Sequence, residues 1–172
     1  MRCFFEDETR IGLHESGTGR RITAPGVKPI QLMLPRYEYL WFYGAVEPAS
    51  GDSFFLELPA LDTICFQAFL NEFSLAFPDT LNILVLDGAP AHVATALLIP
   101  DNILLARLPP YSPELNPAER VWLDLRRRLG DKLSASLDAL ASATGKILQD
   151  YSAQTLASLT NYGYPRLLGM HS

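Results

Sequence analysis

The sequence predicts an α/β protein in which a mixed β-sheet is flanked by helices. The first part of the chain holds short apolar and aromatic segments separated by turn residues, which is typical of antiparallel strands. The middle alternates apolar runs with a helical pattern, and strands that are joined through a helix lie parallel. In the last part, apolar residues recur at the spacing of an α-helix. We therefore expect three antiparallel strands followed by two parallel strands, with helices packed on the sheet.

The antiparallel strands are predicted from short apolar runs between turn residues. Arg2–Phe5 predicts the opening strand, and Ile11–His14 is compatible with the returning strand of a hairpin. The polar span 15–35 is rich in glycine and proline, so it predicts a loop with a short strand at Ile30–Leu34. Aromatic and apolar residues predict two further strands, at Tyr37–Val46 and Ser53–Leu58.

Helices and buried strands follow in the rest of the chain. Apolar residues in Leu61–Phe77 recur at helical spacing, and Pro78 ends this helix. Two continuous apolar runs, Asn82–Leu86 and Ile103–Leu108, are typical of strands that are covered on both faces. The remaining predicted helices are His92–Leu98, Pro117–Leu129, Ser136–Tyr151 and Ala153–Asn161.

Composition indicates an ordinary globular enzyme. The 172 residues suit one domain, and 48% apolar and 19% charged residues exclude a disordered chain. Two cysteines without metal-ligand spacing indicate reduced, buried thiols of a cytoplasmic protein. We see no signal peptide and no apolar run long enough to cross a membrane. Because the net charge is −5, we expect any contact with nucleic acid to be local.

Asp87 is the first candidate site residue. It follows the Asn82–Leu86 strand, and open α/β sheets bind their ligands at the carboxyl ends of such strands. The pair Asp87-Gly88 is equally common in plain turns, so position alone leaves both interpretations open.

Asp7 is the second candidate. It follows the first predicted strand and lies between Glu6 and Glu8, and three consecutive acids are usual in a solvated turn. Alternation along the strand nevertheless places Asp7 on the face of Cys3 and Phe5, whereas Glu6 and Glu8 point the other way. Asp7 would then lie at the rim of the core.

Glu119 is the third candidate. Asn116 is a good N-cap and Pro117 suits the first helical position, so Glu119 resembles the acid of a capping box. Glu119 also lies three residues before Trp122, on the side of the helix that faces the sheet, where it could bind a metal. Closely spaced prolines make this turn stiffer than a plain connection requires, namely Pro109, Pro110, Pro113 and Pro117.

Three carboxylates suit one kind of chemistry. Mg²⁺ prefers oxygen ligands and is usually bound by a few carboxylates together with substrate phosphate. Two such ions roughly 3.5–4 Å apart can activate water and stabilise the leaving oxygen in phosphodiester cleavage. The sequence has no histidine–cysteine cluster for zinc, no glycine-rich phosphate loop and no nucleophile elbow.

Several other polar residues are candidates for supporting contacts. His92 follows Asp87 closely and either caps that loop or contacts phosphate near the metals. Asn116 and Arg120 are likewise candidates for contacts with the metal ligands or with phosphate. The run 126–128 is all arginine and suits the carboxyl end of a helix. Basic residues near the first strand are the better candidates for contacts with a DNA backbone: Arg10, Arg20, Arg21, Lys28 and Arg36.

Three motifs resemble those of the DDE transposases of the Tc/mariner superfamily, in its bacterial insertion-sequence branch. They are Phe5–Thr9 (FEDET), Leu84–His92 (LVLDGAPAH) and Leu108–Trp122 (LPPYSPELNPAERVW), of which the third is the most specific. The resemblance implies an RNase H-like fold. It also implies a catalytic, metal-binding triad formed by Asp7, Asp87 and Glu119.

The resemblance further implies an endonuclease that cuts double-stranded DNA at transposon ends and joins those ends to target DNA. Mg²⁺ is the implied cofactor, with Mn²⁺ able to substitute and two ions expected with substrate bound. The implied location is the bacterial cytoplasm, with the nucleoid when DNA is bound, and no membrane is implied. Two alternatives stay open: an RNase H-like nuclease or resolvase outside transposition, and a non-catalytic remnant or partner subunit of a split transposase.

We expect residues 1–172 to form a single RNase H-like DDE catalytic domain whose part from about residue 131 to 172 is helical. Members of the family place helix-turn-helix domains before this domain, and none is expected here. A separate helix-turn-helix subunit from an upstream reading frame, and a second copy of this chain in a homodimer, are therefore compatible partners.

Overall fold

Five strands form one mixed sheet. The structure is a computed structural model that describes residues 1–13, 39–88, 97–109, 112–130 and 136–161. The strands are β1 (Arg2–Gly12), β2 (Tyr39–Val46), β3 (Ser53–Leu58), β4 (Asn82–Leu86) and β5 (Ile103–Arg107). Their order across the sheet is β3-β2-β1-β4-β5. β2 pairs antiparallel with β1 and β3, whereas β4 pairs parallel with β1 and β5, so the predicted mixed sheet is confirmed.

The described residues include four α-helices that accompany the sheet: α1 (Thr63–Ala76), α2 (Ala118–Leu129), α3 (Leu137–Gln149) and α4 (Ala153–Thr160). Three of them begin at side-chain caps, because Asp62, Ser136 and Ser152 each accept a hydrogen bond from a backbone N–H of the first turn. None of the helices in the described part of the chain is long and apolar enough to span a bilayer.

Both faces of the sheet are covered. Phe4 of β1 packs with the aromatic residues of α1 on one face, where Phe69 and Phe73 are fully buried. Phe5, the next residue, packs on the other face with Trp122 of α2 and with residues of α3 and α4. This alternation places β1 at the centre of a three-layer arrangement of helix, sheet and helix.

The opening strand differs most from its prediction. β1 runs unbroken to Gly12, so the hairpin return predicted at Ile11–His14 is wrong. The acids around Asp7 lie inside this strand, so the solvated turn is wrong as well. The physical reason is pairing with β2, which extends over Phe5–Gly12, beyond the Arg2–Phe5 part of β1 that also pairs with β4. The interstrand hydrogen bonds outweigh the low strand propensity of the acids.

Most other boundaries lie within two residues of their predictions, and β3 and β4 match theirs. The strand predicted at Ile30–Leu34 lies outside the described residues, and so does most of the helix predicted at His92–Leu98, whose last two residues are not helical. Cys3 and Cys65 are both free thiols, but only Cys65 is buried, because Cys3 is half-exposed near the start of β1.

Candidate active site

The register of the sheet places two of the three candidate acids side by side. β1 and β4 run parallel with Phe5 opposite Val85. Asp7 and Asp87 each lie two residues beyond this last pair, and the two carboxyl groups are near enough for the charge of Asp87 to raise the pKa of Asp7. Phe5 and Val85 both pack on the α2 face, and alternation places Asp7 on that face too. β4 ends at Leu86, so Asp87 is exposed at the carboxyl edge of the sheet.

The third acid comes from the first turn of α2, which one asparagine fixes to β1. The Asn116 side chain is buried, and its Nδ2 atom donates a hydrogen bond of 2.7 Å to the carbonyl of Glu6. Its Oδ1 atom accepts from the backbone N–H of Ala118 at 3.1 Å. Asn116 therefore caps α2 and also holds the helix beside the residue that precedes Asp7. Glu119 lies exposed in the turn that follows.

The capping box predicted for Glu119 is absent. It would require the Glu119 carboxylate to accept a hydrogen bond from the backbone N–H of Asn116, and these two described residues make no such bond. Asn116 supplies the cap with its own side chain instead. Pro117 has helical angles (φ −65°, ψ −20°), as predicted for the first helical position, although regular hydrogen bonding begins one residue later. Capping therefore does not explain Glu119.

Negative charge is concentrated around Asp7. Burial raises the pKa of Asp7 to about 8, and the carboxylates of Glu8, Glu119 and Asp87 act in the same direction. Glu6 on the opposite face of β1 is fully buried, and burial, followed by the charges of Glu8, Asp7 and Asp87, raises its pKa well above the usual range. Burial is thus the largest cause of both shifts, and neighbouring carboxylates act in the same direction.

The acids suit a hard divalent cation. All the donors are carboxylate oxygens, which Mg²⁺ and Mn²⁺ prefer, and a cation would offset the repulsion that raises the pKa of Asp7. Within the described residues, no three acid, histidine or cysteine side chains converge closely enough to enclose an ion. The acids thus fit such a cation in the chemistry of their donor atoms, but the described side chains do not form a three-ligand metal site.

Other candidate residues are only partly placed by the structure. Arg10 lies on β1, but alternation puts it on the face opposite Asp7, where its guanidinium lies 4.3 Å from the ring centroid of Tyr39 and 5.9 Å from that of Trp41. Arg120 is exposed next to Glu119 at the start of α2. The remaining candidates lie outside the described residues, namely His92, Arg20, Arg21, Lys28 and Arg36.

The arginine run at the end of α2 makes contacts within the protein. Arg126 donates a hydrogen bond of 2.6 Å to the hydroxyl of Thr9 on β1. Arg127 and Arg128 both pair with Asp124, which also accepts a hydrogen bond of 2.8 Å from Tyr151. Burial alone would raise the pKa of Asp124, but the hydrogen bonds from Tyr151 and Arg128 outweigh it and lower that pKa. This cluster joins α2 to the loop between α3 and α4.

The burial of Glu6 was not predicted from the sequence. A usable signal was present, because the neighbours Phe4 and Phe5 are both large and apolar, as in a strand that is covered on both faces. Burial on the second face then extends to Glu6, which is fully enclosed.

The sequence of this chain is similar to a known family and to a known protein. A family model described as DDE superfamily endonuclease matches residues 2–141. This chain belongs to that family. The uncharacterized protein y4pE/y4sA of Sinorhizobium fredii is 44% identical to this chain over 89 residues, which cover 51% of this chain and 66% of that protein.

Solved structures show the fold of this DDE superfamily chain. The Mos1 strand transfer complex superposes with a TM-score of 0.73 at 15% identity, covering 98% of this chain and 52% of the Mos1 chain. The Mos1 mariner paired end complex with Mn gives a TM-score of 0.72 at 16% identity, covering 96% and 53%. The fold is therefore the RNase H-like α/β fold of these transposases, and the chain spans about half the length of theirs.

Proposed function

We propose that this chain is the catalytic domain of a transposase, which cuts phosphodiester bonds at transposon ends and joins the freed ends to target DNA. The observation that carries this proposal is the register that brings Asp7 beside Asp87, with the charge of Glu119 acting on the same carboxyl group. Membership of the DDE superfamily and the Mos1 fold support it.

Each acid has a role in this proposal. Asp7 and Asp87 would hold divalent metal from the sheet, and Glu119 would complete the site from α2. Bound Mg²⁺ or Mn²⁺ would supply charge to activate the attacking oxygen and to stabilise the leaving one. The open arrangement of the acids suits coordination that substrate phosphate completes. Mos1 complexes with Mn and with Mg support this choice of ions.

DNA contact would depend on basic residues outside the acidic cluster. The net charge of −5 opposes tight binding by this chain alone. The proposal therefore includes a basic contribution from the segment 14–38. It also includes a second copy of the chain or a separate helix-turn-helix subunit, because the chain spans about half the length of the Mos1 proteins.

Metal binding is tested by calorimetric titration of Mn²⁺ into the protein and into Asp87→Asn. Asp101→Asn is the matched control, because Asp101 is an exposed aspartate that precedes β5. It therefore lies at the amino end of a parallel strand, whereas Asp87 lies at the carboxyl end of one. We expect weaker binding by Asp87→Asn alone. Equal binding by all three proteins would reject Asp87 as a metal ligand.

Catalysis is tested by nicking of supercoiled DNA in Mn²⁺. We expect Glu119→Gln to lose activity while its melting temperature stays close to that of the wild type, because the Glu119 side chain is exposed and does not form the capping box. Glu72→Gln is the control, since Glu72 is an exposed glutamate on α1. A large fall in melting temperature with Glu119→Gln would instead assign the residue a structural role.

Strand transfer separates this function from its alternatives. Products in which a cut end is joined to a target duplex support a transposase. Nicking without such joined products would indicate an RNase H-like nuclease or resolvase. A wild-type protein that cuts nothing in Mn²⁺, with or without a helix-turn-helix partner, would indicate a non-catalytic domain.

A further inference from the structure

Gly44 lies directly across the sheet from Asp7. It is a buried residue of β2 whose partner in the antiparallel register is Asp7 of β1, and its partner on β3 is Phe55. A Cβ atom at Gly44 would lie 2.6 Å from Cζ2 and 2.7 Å from Cη2 of Trp122, and 2.8 Å from Cδ1 of Phe55. Real Cβ atoms essentially never make contacts below 3.0 Å. The indole of Trp122 thus occupies the volume that any side chain at Gly44 would need.

Trp122 connects this glycine to Glu119. The two residues lie three positions apart on α2 and therefore on one side of the helix. The Trp122 ring is 2% exposed and meets the Phe55 ring edge-on, with centroids 5.7 Å apart. Because the indole is buried in close packing, a displacement of the ring away from the sheet is transmitted to the α2 backbone that also carries Glu119.

One contact before Glu119 and one after it hold α2 on the sheet. Both contacts are made with neighbours of Asp7. Asn116 donates to the carbonyl of Glu6, which precedes Asp7 along β1. Trp122 packs on Gly44, which lies beside Asp7 across the strand pair. The separation between the Asp7 and Glu119 carboxylates is thus determined by contacts on the two strands at that point.

We propose that Gly44 is a positioning residue of the acidic site. Its lack of a side chain lets Trp122 pack opposite Asp7, and this packing sets the separation of the Asp7 and Glu119 carboxylates. The catalytic consequence rests on the function proposed above, whereas the geometric part concerns only β2 and α2.

The expected effect follows from the size of the overlap. Carbon atoms pack at about 3.5–4.0 Å, so a methyl group at Gly44 would push the indole outward by about 1 Å from its present contact. A displacement of about 1 Å at a catalytic group can cost roughly 100-fold in rate. We therefore expect Gly44→Ala to lower kcat by about two orders of magnitude while the KM for DNA stays unchanged.

The experiment is a double-mutant cycle in the intact chain with Gly44→Ala, Trp122→Phe and the two combined. Phenylalanine is smaller than tryptophan and removes the two closest contacts of the methyl group, whereas the contact with Cδ1 of Phe55 remains. Gly145→Ala is the matched control, because a Cβ atom at Gly145 on α3 meets nothing within 4 Å. Nicking kinetics in saturating Mn²⁺ are measured below the melting temperature of every variant. Crystal structures of wild type and Gly44→Ala give the Cα separation of residues 7 and 119.

The cycle should show that the effect of the methyl group depends on residue 122. Gly44→Ala lowers kcat by about two orders of magnitude beside tryptophan but much less beside phenylalanine, where only the contact with Phe55 remains, and Gly145→Ala behaves as wild type. An equal loss in both backgrounds, or an unchanged separation of residues 7 and 119 in Gly44→Ala, would overturn the inference. If Gly44→Ala does not fold, the comparison within the Trp122→Phe background decides, and a loss of about two orders of magnitude for the double variant relative to Trp122→Phe rejects the idea. If the wild type does not cut DNA, the proposed function fails and the measured separation still tests the role of Gly44.

Discussion

Replacement of Asn116 by alanine should be among the most destabilising changes of a polar residue in this protein. The side chain is 5% exposed and makes two hydrogen bonds at once, to the N–H of Ala118 and to the carbonyl of Glu6. Loss of an N-cap costs about 1 kcal/mol. Loss of a buried donor that leaves a carbonyl unpaired costs about 1–3 kcal/mol. Together they predict a loss of about 3 kcal/mol in the free energy of unfolding.

Urea and thermal unfolding measure this loss. For a domain of this size, about 3 kcal/mol lowers the melting temperature by roughly 6–12 °C. Asn116→Asp separates the two contributions, because a carboxylate still accepts from the N–H of Ala118 but cannot donate to Glu6. We expect it to lose about 1–3 kcal/mol, with the helix start intact.

Asn71→Ala is the control for Asn116→Ala. Asn71 is exposed on α1, where its side chain accepts one hydrogen bond of 3.0 Å from Gln67, so we expect a change within about 0.5 kcal/mol. The reasoning is refuted if Asn116→Ala is as mild as Asn71→Ala. It is also refuted if Asn116→Asp is as stable as the wild type, since the contact with β1 would then contribute nothing.

Two further stability predictions follow from particular contacts. The lowered pKa of Asp124 means that its ion pairs stabilise the fold above the pKa of the unfolded chain and are lost as pH falls through the folded-state value. Asp124→Asn should therefore lose about 1–3 kcal/mol at pH 7, and urea midpoints should show that difference shrinking toward pH 3. Gly51 and Gly130 both have positive φ angles, but only a Cβ atom at Gly51 would collide with the Ala153 carbonyl, at 1.8 Å. Gly51→Ala should thus cost about 2 kcal/mol more than Gly130→Ala, and equal melting temperatures for the two variants would contradict this.

Elements of the fold that local chemistry determines could be predicted from the sequence. β3 and β4 are short apolar runs bounded by turn residues, and their bounds were predicted correctly. β1 was predicted too short, because acids at 6–8 favour a solvated turn when only local propensity is considered. Pairing with β2, which depends on residues far along the chain, keeps those acids in the sheet.

The candidate site likewise has features that local sequence predicts and features that depend on residues far apart in the chain. The motifs predicted Asp7, Asp87 and Glu119 as site residues, and the parallel pairing of β1 with β4 accounts for the approach of the first two. The contact between Asn116 and Glu6 joins residues 110 positions apart, so no local pattern predicts it. The same holds for Gly44, whose role becomes visible only when β2 and α2 are placed against each other. Register between distant segments is the information that the sequence pattern lacks.

An ion pair within the protein distinguishes Arg128 from the arginines that the sequence predicts as DNA contacts. Arg128 pairs with Asp124 at 2.6 Å and its guanidinium lies 4.6 Å from the centroid of the Tyr151 ring. Its charge is therefore paired with a partner within the protein. Each contact with a phosphate contributes a slope of about −0.9 to a plot of log K against log salt concentration for duplex DNA. Arg20→Gln should therefore reduce that slope by about one, whereas Arg128→Gln should lower the melting temperature and leave the slope unchanged. Fluorescence titrations of labelled duplex at several salt concentrations measure both slopes. A reduced slope for Arg128→Gln with an unchanged one for Arg20→Gln would reverse the assignment, and DNA would then lie along the carboxyl end of α2.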